Sequence, residues 1–477
     1  MIRTRKQVSA AQFARTVLSG ALAIGLAVGA ASLATPALAA KNAPAAPKIS
    51  ISKAFQPLAA AANKAINDAK TRADVVTARN NVNTAQTAAN QARGNARAPA
   101  RAAVEAAQAA LANTLTAEKT ALEAAFAGAT TPDDRYTAGT LAISLGDLSK
   151  DTRLQRRGIE AMLASGKVAP ADTARLQYYL GQFAFDQKDY AAARTALQAA
   201  VSGGYRENDV DALLAEAYLS DNQVPQGLTL LKQAIAARNA TPDKAPAGWY
   251  RRGLGAAYGA KLLDQATDFA MSLVQAYPTT DNWAGAVTVV REVGKFPPQE
   301  TLDLMRLMGR TNSYVEGRDY VEYINAADAR RLPGEVLRVI DAGVASGKLK
   351  ANDITISEAR TIASARIAAD RASLVGLERD ARAPAASAST VSGAADAFLS
   401  YGDAAKAESL YNLAMGKPGA ETDRLLTRLG IAQLDLGNLA GAQATFARVG
   451  GARKYIARLW EIYVAQKAAP PTPAATP

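Results

Sequence analysis

Residues 180–200 read LGQFAFDQKDYAAARTALQAA, and residues 429–449 read LGIAQLDLGNLAGAQATFARV. The two stretches agree where packing would demand it. Each opens on Leu-Gly, at Leu180-Gly181 and Leu429-Gly430. Each passes through a polar turn, Asp189-Tyr190 in the first and Gly437-Asn438-Leu439 in the second. Each then places a small residue (Ala193, Ala442), a bulky one four positions later (Leu197, Phe446) and a last apolar one (Ala200, Val449). A small residue in each of two helices lets their axes cross closely, and the bulky residue fills the space against the next helix. The spacing predicts pairs of antiparallel helices joined by short turns.

Further copies lie outward from these. Gly402-Asp403-Ala404 is followed by Ala407, Tyr411 and Ala414. Leu254-Gly255 and Tyr258 are followed by Ala266, Ala270 and Pro278, and a fainter copy has Ala215, Tyr218, Gly227, Leu231 and Ala234. Few windows alternate as a half-buried strand would, and self-similarity at a period between about 20 and 50 residues marks a solenoid. The fold class expected is all-α.

These residues resemble the tetratricopeptide repeat. The resemblance implies a superhelical solenoid of stacked antiparallel helix pairs, whose concave groove holds a protein or peptide partner. It also implies that outward positions of each first helix line that groove. Carried over, these are Arg175, Tyr178, Gln182 and Phe185 around Gly181, Trp249 and Arg252 around Gly255, and Arg424 and Thr427 around Gly430. Arg, Tyr and Trp are enriched in binding hot spots. The competing reading is a neutral solvated groove in which some aromatics bridge neighbouring repeats.

The N-terminus reads as a targeting segment, residues 1–39. Arg3, Arg5, Lys6 and Arg15 precede an uncharged stretch over 17–31, and Ala37 and Ala39 suit cleavage after Ala39. The apolar run falls short of the roughly 20 residues a membrane span needs. The mature chain is therefore expected in the periplasm or outside the cell, not transmembrane. Residues 40–52 read as a tether with Pro44 and Pro47, and 53–128 as an Ala-rich helical hairpin with helices over 53–93 and 99–126. Repeats follow over 129–282. Degenerate helical repeats occupy 283–382, with helix-sized segments at 283–293, 298–308, 317–330, 334–345 and 354–379. A small-residue loop with Pro384 reads as a hinge, further repeats cover 391–467, and 468–477 is a Pro/Ala tail.

Composition narrows the function. The chain has no Cys and no His, which removes disulfides, thiol nucleophiles, imidazole acid–base chemistry and Cys or His metal sites. No cofactor or metal motif is present. Gly166-Lys167 and Gly347-Lys348 lack the upstream Gly and the following Ser or Thr of a phosphate loop, and read instead as helix C-terminal caps. Asp133-Asp134 reads as a helix start, and Asp147 with Asp151 as a solvated face. The formal net charge is +12, and residues 40–130 hold eleven Lys or Arg against five Asp or Glu. A basic balance favours anionic partners.

The sequence thus predicts a non-catalytic scaffold or adaptor for a protein or peptide partner, in envelope assembly or export. One alternative is a binder of the membrane surface or a cell-wall polymer, meeting an anionic envelope component through the basic hairpin. A wall-cleaving enzyme on a helical scaffold is the other, and no segment outside the repeats is dense enough in chemistry to supply it. Nucleic acid is not expected as a partner.

Overall fold

The computed structural model describes residues 48–469. The expected export signal, most of the tether and the tail from residue 470 onward lie outside the described residues. Among the described residues the secondary structure is 22 α-helices and two short 3-10 turns, with no strand. The chain divides into two compact units, one ending at Ala245 and one beginning at Pro246. In each, neighbouring helices pack in pairs, which makes the protein an all-α, tetratricopeptide-like array.

The first unit opens with four helices, α1 (Gln56–Thr71), α2 (Ala73–Gln91), α3 (Arg97–Thr114) and α4 (Thr116–Gly128). Each of the two helices expected from the Ala-rich sequence is therefore broken once. Arg72 has extended backbone, ψ 128°, and its guanidinium donates to Glu118 at 2.7 Å and to the Thr114 carbonyl. Leu115, with no exposed surface, interrupts the other arm at the same level. Tertiary anchoring overrides helix propensity at both points. As a result α2 pairs with α3 as a projecting arm, while α1 pairs with α4 over a core of Phe55, Ile66, Leu111, Leu115 and Leu122.

Three helix pairs follow: α5 (Pro132–Ser149) with α6 (Thr152–Ala164), α7 (Pro170–Asp186) with α8 (Tyr190–Ser202), and α9 (Val210–Ser220) with α10 (Val224–Asn239). Asp133-Asp134 does open a helix. Thr131 caps α5 in a reciprocal box with Asp134, and Pro132 takes the first turn. Burial alone would raise the Asp134 carboxyl, but hydrogen bonds from Ser52 and Thr131 outweigh it and hold it at about 2. Gly166 ends its helix turn with φ +68°, as the C-terminal cap reading required. The close crossings are real: a Cβ on Gly139 would stand 2.6 Å from the Gly158 carbonyl, and one on Gly181 would stand 2.5 Å from Leu197.

The second unit holds α11 (Ala247–Gly259), α12 (Leu263–Ala276), α13 (Thr280–Gly294), α14 (Pro298–Arg310), α15 (Gly317–Ala327), α16 (Pro333–Ala345), α17 (Ile354–Ala381), α18 (Ala388–Ser400), α19 (Ala404–Met415), α20 (Thr422–Asp435), α21 (Leu439–Phe446) and α22 (Lys454–Ala468). The crossing in the first pair uses Gly253, which faces Phe269, whereas the Gly255 of the sequence reading looks into open space. Gly430 meets Phe446, so the bulky residue, not the small Ala442, lies against the glycine, as Leu197 does at Gly181. The array does not run on as an open row. Helix α22 returns to pack on α12, α13 and α14, and Trp460 donates to the Asp303 carbonyl at 3.1 Å.

That return is fixed by buried charge. The Asp303 carboxylate accepts from Arg453 at 2.6 Å, Arg306 at 3.1 Å and Arg428 at 3.2 Å. Arg428 also donates to Asp396 at 2.6 Å, and Arg306 grips Glu335 through two bonds of 2.8 Å. Desolvation would raise all three carboxyls, yet the neighbouring guanidinium charges hold each below its usual range.

Candidate functional site: the outward stripe of α7 and its cleft

Of the eight expected groove residues, the structure buries four. Tyr178 stacks on Tyr205 with ring centroids 4.8 Å apart, and Phe185 packs near Tyr190 at 5.5 Å. Trp249 and Thr427 are also buried, and the Thr427 hydroxyl donates back to the Asp423 carbonyl at 2.6 Å. These four serve the core of their units, not an outward surface. Arg424 is committed to Asp396 at 3.0 Å, inside the buried charge network. Arg252 is half-buried and has partners of its own. Arg175 is exposed, 2.6 Å from Asp172, and Gln182 is half-buried at the surface.

The register of α7 explains the division. Gly181 must face Leu197, so residues three before it and four after it share its buried side. Those residues are Tyr178 and Phe185. The outward side carries Arg175, Tyr179, Gln182 and Asp186, at i, i+4, i+7 and i+11. Tyr179 and Asp186 were missed by one position each. The glycine itself was the signal that could have found them.

Asp186 leads from this stripe into a cleft of about 930 Å³. One wall is α3 of the projecting arm, through Glu105, Gln108, Ala109 and Ala112. The other wall is the turn between α5 and α6 (149–153), Arg156 of α6, and the turn between α7 and α8 (186–189). Lys150 and Lys188 occupy equivalent left-handed positions in the two turns, with φ +56° and +63°. Part of the lining is spoken for. Arg156 bridges Glu160 and Asp189 at 2.8 and 2.7 Å, and Asp151 caps α6. Glu105, Arg153, Asp186 and Lys188 form no ion pair among the described residues. Asp186 is exposed as a whole, but partial desolvation of its carboxyl pushes it up to about 6.

Nothing in this geometry assembles a nucleophile with a base. The Asp133 carboxylate is taken up by Lys167 at 2.8 Å and by the Ser50 amide at 2.9 Å. Among the described residues no three carboxylates converge as a metal site, and no helix is long and apolar enough to cross a membrane. What the stripe and the cleft can do is hold a chain that presents both hydrogen-bonding groups and charges of either sign.

No family model matches the sequence, and no curated protein does. Among solved structures, a monomeric mutant of IFIT1 with m7Gppp-AAAA aligns at 12% identity and a TM-score of 0.21, over 75% of this chain and 78% of that one. Naa15/Naa10 bound to HypK-THB aligns at 11% and 0.20, over 87% and 73%. A human IFIT1 dimer with PPP-AAAA aligns at 12% and 0.19, over 84% and 95%. Alignments at this level decide nothing about this chain, which is defined by its own paired helices.

Proposed function

We propose that the protein is a non-catalytic, exported adaptor that works in the periplasm and holds an extended protein segment along the outward stripe of α7. The observation that carries this is the set Arg175, Tyr179, Gln182 and Asp186. Four side chains of differing chemistry, none of them fully buried, line one helix face that runs into an open cleft, with Tyr179 also packing in part against the core. A tyrosine, an arginine, an amide and a carboxylate on a rigid helix supply stacking area, charge and hydrogen bonds with little rotamer entropy to lose at Tyr179. The absence of His and Cys from the sequence supports the non-catalytic part. The basic start, uncharged run and Ala37-x-Ala39 pattern support export.

The test places a photo-crosslinking residue at position 182 in cells and identifies the adduct. A single protein adduct, lost in a Tyr179→Ala, Asp186→Ala double variant that keeps its helicity, is the expected result. Adducts no different from those of a crosslinker on the opposite face, for example at the exposed Gln198 of α8, would sink the reading. Export is tested separately, by the mass of the N-terminal peptide in the periplasmic fraction. A chain beginning at Ala40 supports it, and an intact Met1 in the cytoplasm overturns it.

A further inference from the structure

The distal half of the arm formed by α2 and α3 carries charge of one sign. Between Val75 and Val104 the sequence contains Arg79, Arg93, Arg97 and Arg101 and no Asp or Glu. Arg79 belongs to the base, 3.9 Å from Asp147. The other three crowd the tip. Arg97 and Arg101 stand four residues apart, on one face of the first turns of α3. Arg93 stands across the 3-10 turn Gly94–Ala96, where one nitrogen of its guanidinium donates to the last carbonyls of α2 at 3.1–3.2 Å. All three are exposed and form no ion pair among the described residues.

Apart from Glu105 and Gln108, which line the cleft, the arm has little else to bind with. No residue from 83 to 110 is buried, so the two helices there touch chiefly each other along a seam of alanines. That span has no Phe, Trp, Tyr, Leu, Ile or Met. Without aromatic rings it offers no platform for stacking nucleic-acid bases. Without a large apolar anchor it lacks the hot spot of a protein interface, and without an apolar wedge it cannot enter hydrocarbon. The guanidiniums lie on a convex tip, not around a pocket, so they suit several phosphates spread over a surface better than one enclosed small anion. Guanidinium matches phosphate oxygens in a two-point fork.

We propose that the tip of the arm docks, through Arg93, Arg97 and Arg101, on the phosphate-bearing headgroups of an anionic bilayer without inserting into it. The docking is independent of the adaptor reading and would place the α7 stripe at a membrane surface. Each basic residue near such a surface contributes about fivefold in binding, so three contribute on the order of 100-fold.

The experiment is vesicle co-sedimentation with a chain starting at residue 40, which keeps every described residue and removes the apolar run at 17–31. Vesicles of phosphatidylcholine are compared with vesicles containing about 30% phosphatidylglycerol, at about 0.05 M and about 0.5 M salt. Expected is binding to the anionic vesicles alone, lost at high salt, and weakened at least about tenfold by Arg93→Gln, Arg97→Gln and Arg101→Gln together. The same number of charges is removed elsewhere with Arg330→Gln, Lys350→Gln and Arg366→Gln, all exposed in the second unit. An equal loss from that control would overturn the assignment to the tip. Equal binding to neutral vesicles would overturn the electrostatic basis. Competition by inositol hexakisphosphate at far lower phosphate concentration than the vesicles present would replace the bilayer with a soluble polyphosphate.

Discussion

At the scale of single residues, three positions carry the clearest consequences. Gly139 and Gly158 touch backbone to backbone, so a side chain in Gly139→Val would meet the Gly158 carbonyl as well as Met162, and the carbonyl cannot swing aside. The substitution should cost about 2–4 kcal/mol, read as a lower urea midpoint for the first unit. Lys188 holds a left-handed conformation that glycine adopts freely. Lys188→Gly should raise the midpoint, by about 0.5 kcal/mol after the entropy of the added glycine is subtracted. Asp186 has the opposite character to Asp134. Its folded pKa, about 6, lies above the unfolded value, so the native state binds the proton more tightly. The stability it allows is fully present below about pH 4 and is lost as the pH rises through 6. Asp186→Asn should therefore raise the melting temperature at pH 7.5 and leave it unchanged at pH 4. A gain of equal size at both pH values would mean that the carboxyl is not desolvated.

At the scale of elements, the turns and crossings could be read from the sequence because their causes are local. A cap, a left-handed glycine or a small residue announces itself within a few positions, as Thr131, Gly166 and Gly430 do. The face that α7 turns outward was also within reach, since Gly181 fixes it. The breaks at Arg72 and Leu115 were not, because they depend on Glu118 and the Thr114 carbonyl lying opposite. The contacts of α20 were still less accessible. Arg428 is buried on α20, and its partner Asp303 lies 125 residues away, beyond the reach of any local pattern. Removing one member of such a cluster leaves opposite charges buried and bare. Arg428→Ala should cost about 3–5 kcal/mol, measured as a lower midpoint for the second unit with the first unit unchanged. Losses of the same size in both units would show that the substitution acts some other way.

At the scale of the whole molecule, the two compact units differ in how their contacts are spread along the chain. The first is built almost entirely from neighbouring helices, apart from the pairing of α1 with α4 and α5. The second depends on its last helix. A chain ending at residue 453 lacks α22, and with it the cover that Trp460 gives to Asp303. Its calorimetric trace should keep the transition of the first unit and lose that of the second.

The same long-range closure sets an order of events during synthesis. Asp303 emerges from the ribosome well before Arg428, Arg453 and Trp460, the groups that enclose it from 125, 150 and 157 residues downstream. Long-separation contacts form late and slowly, and chains fold from the N-terminus as they are made. Helix pairs of the first unit have all their partners by residue 245. The second unit must wait, with an unmatched carboxylate and an uncovered apolar face on α14, until residues 453 and 460 have been made. A chain interrupted before residue 454 would keep a sound first unit, while its second unit would lack the groups that cover Asp303 and would be open to proteolysis.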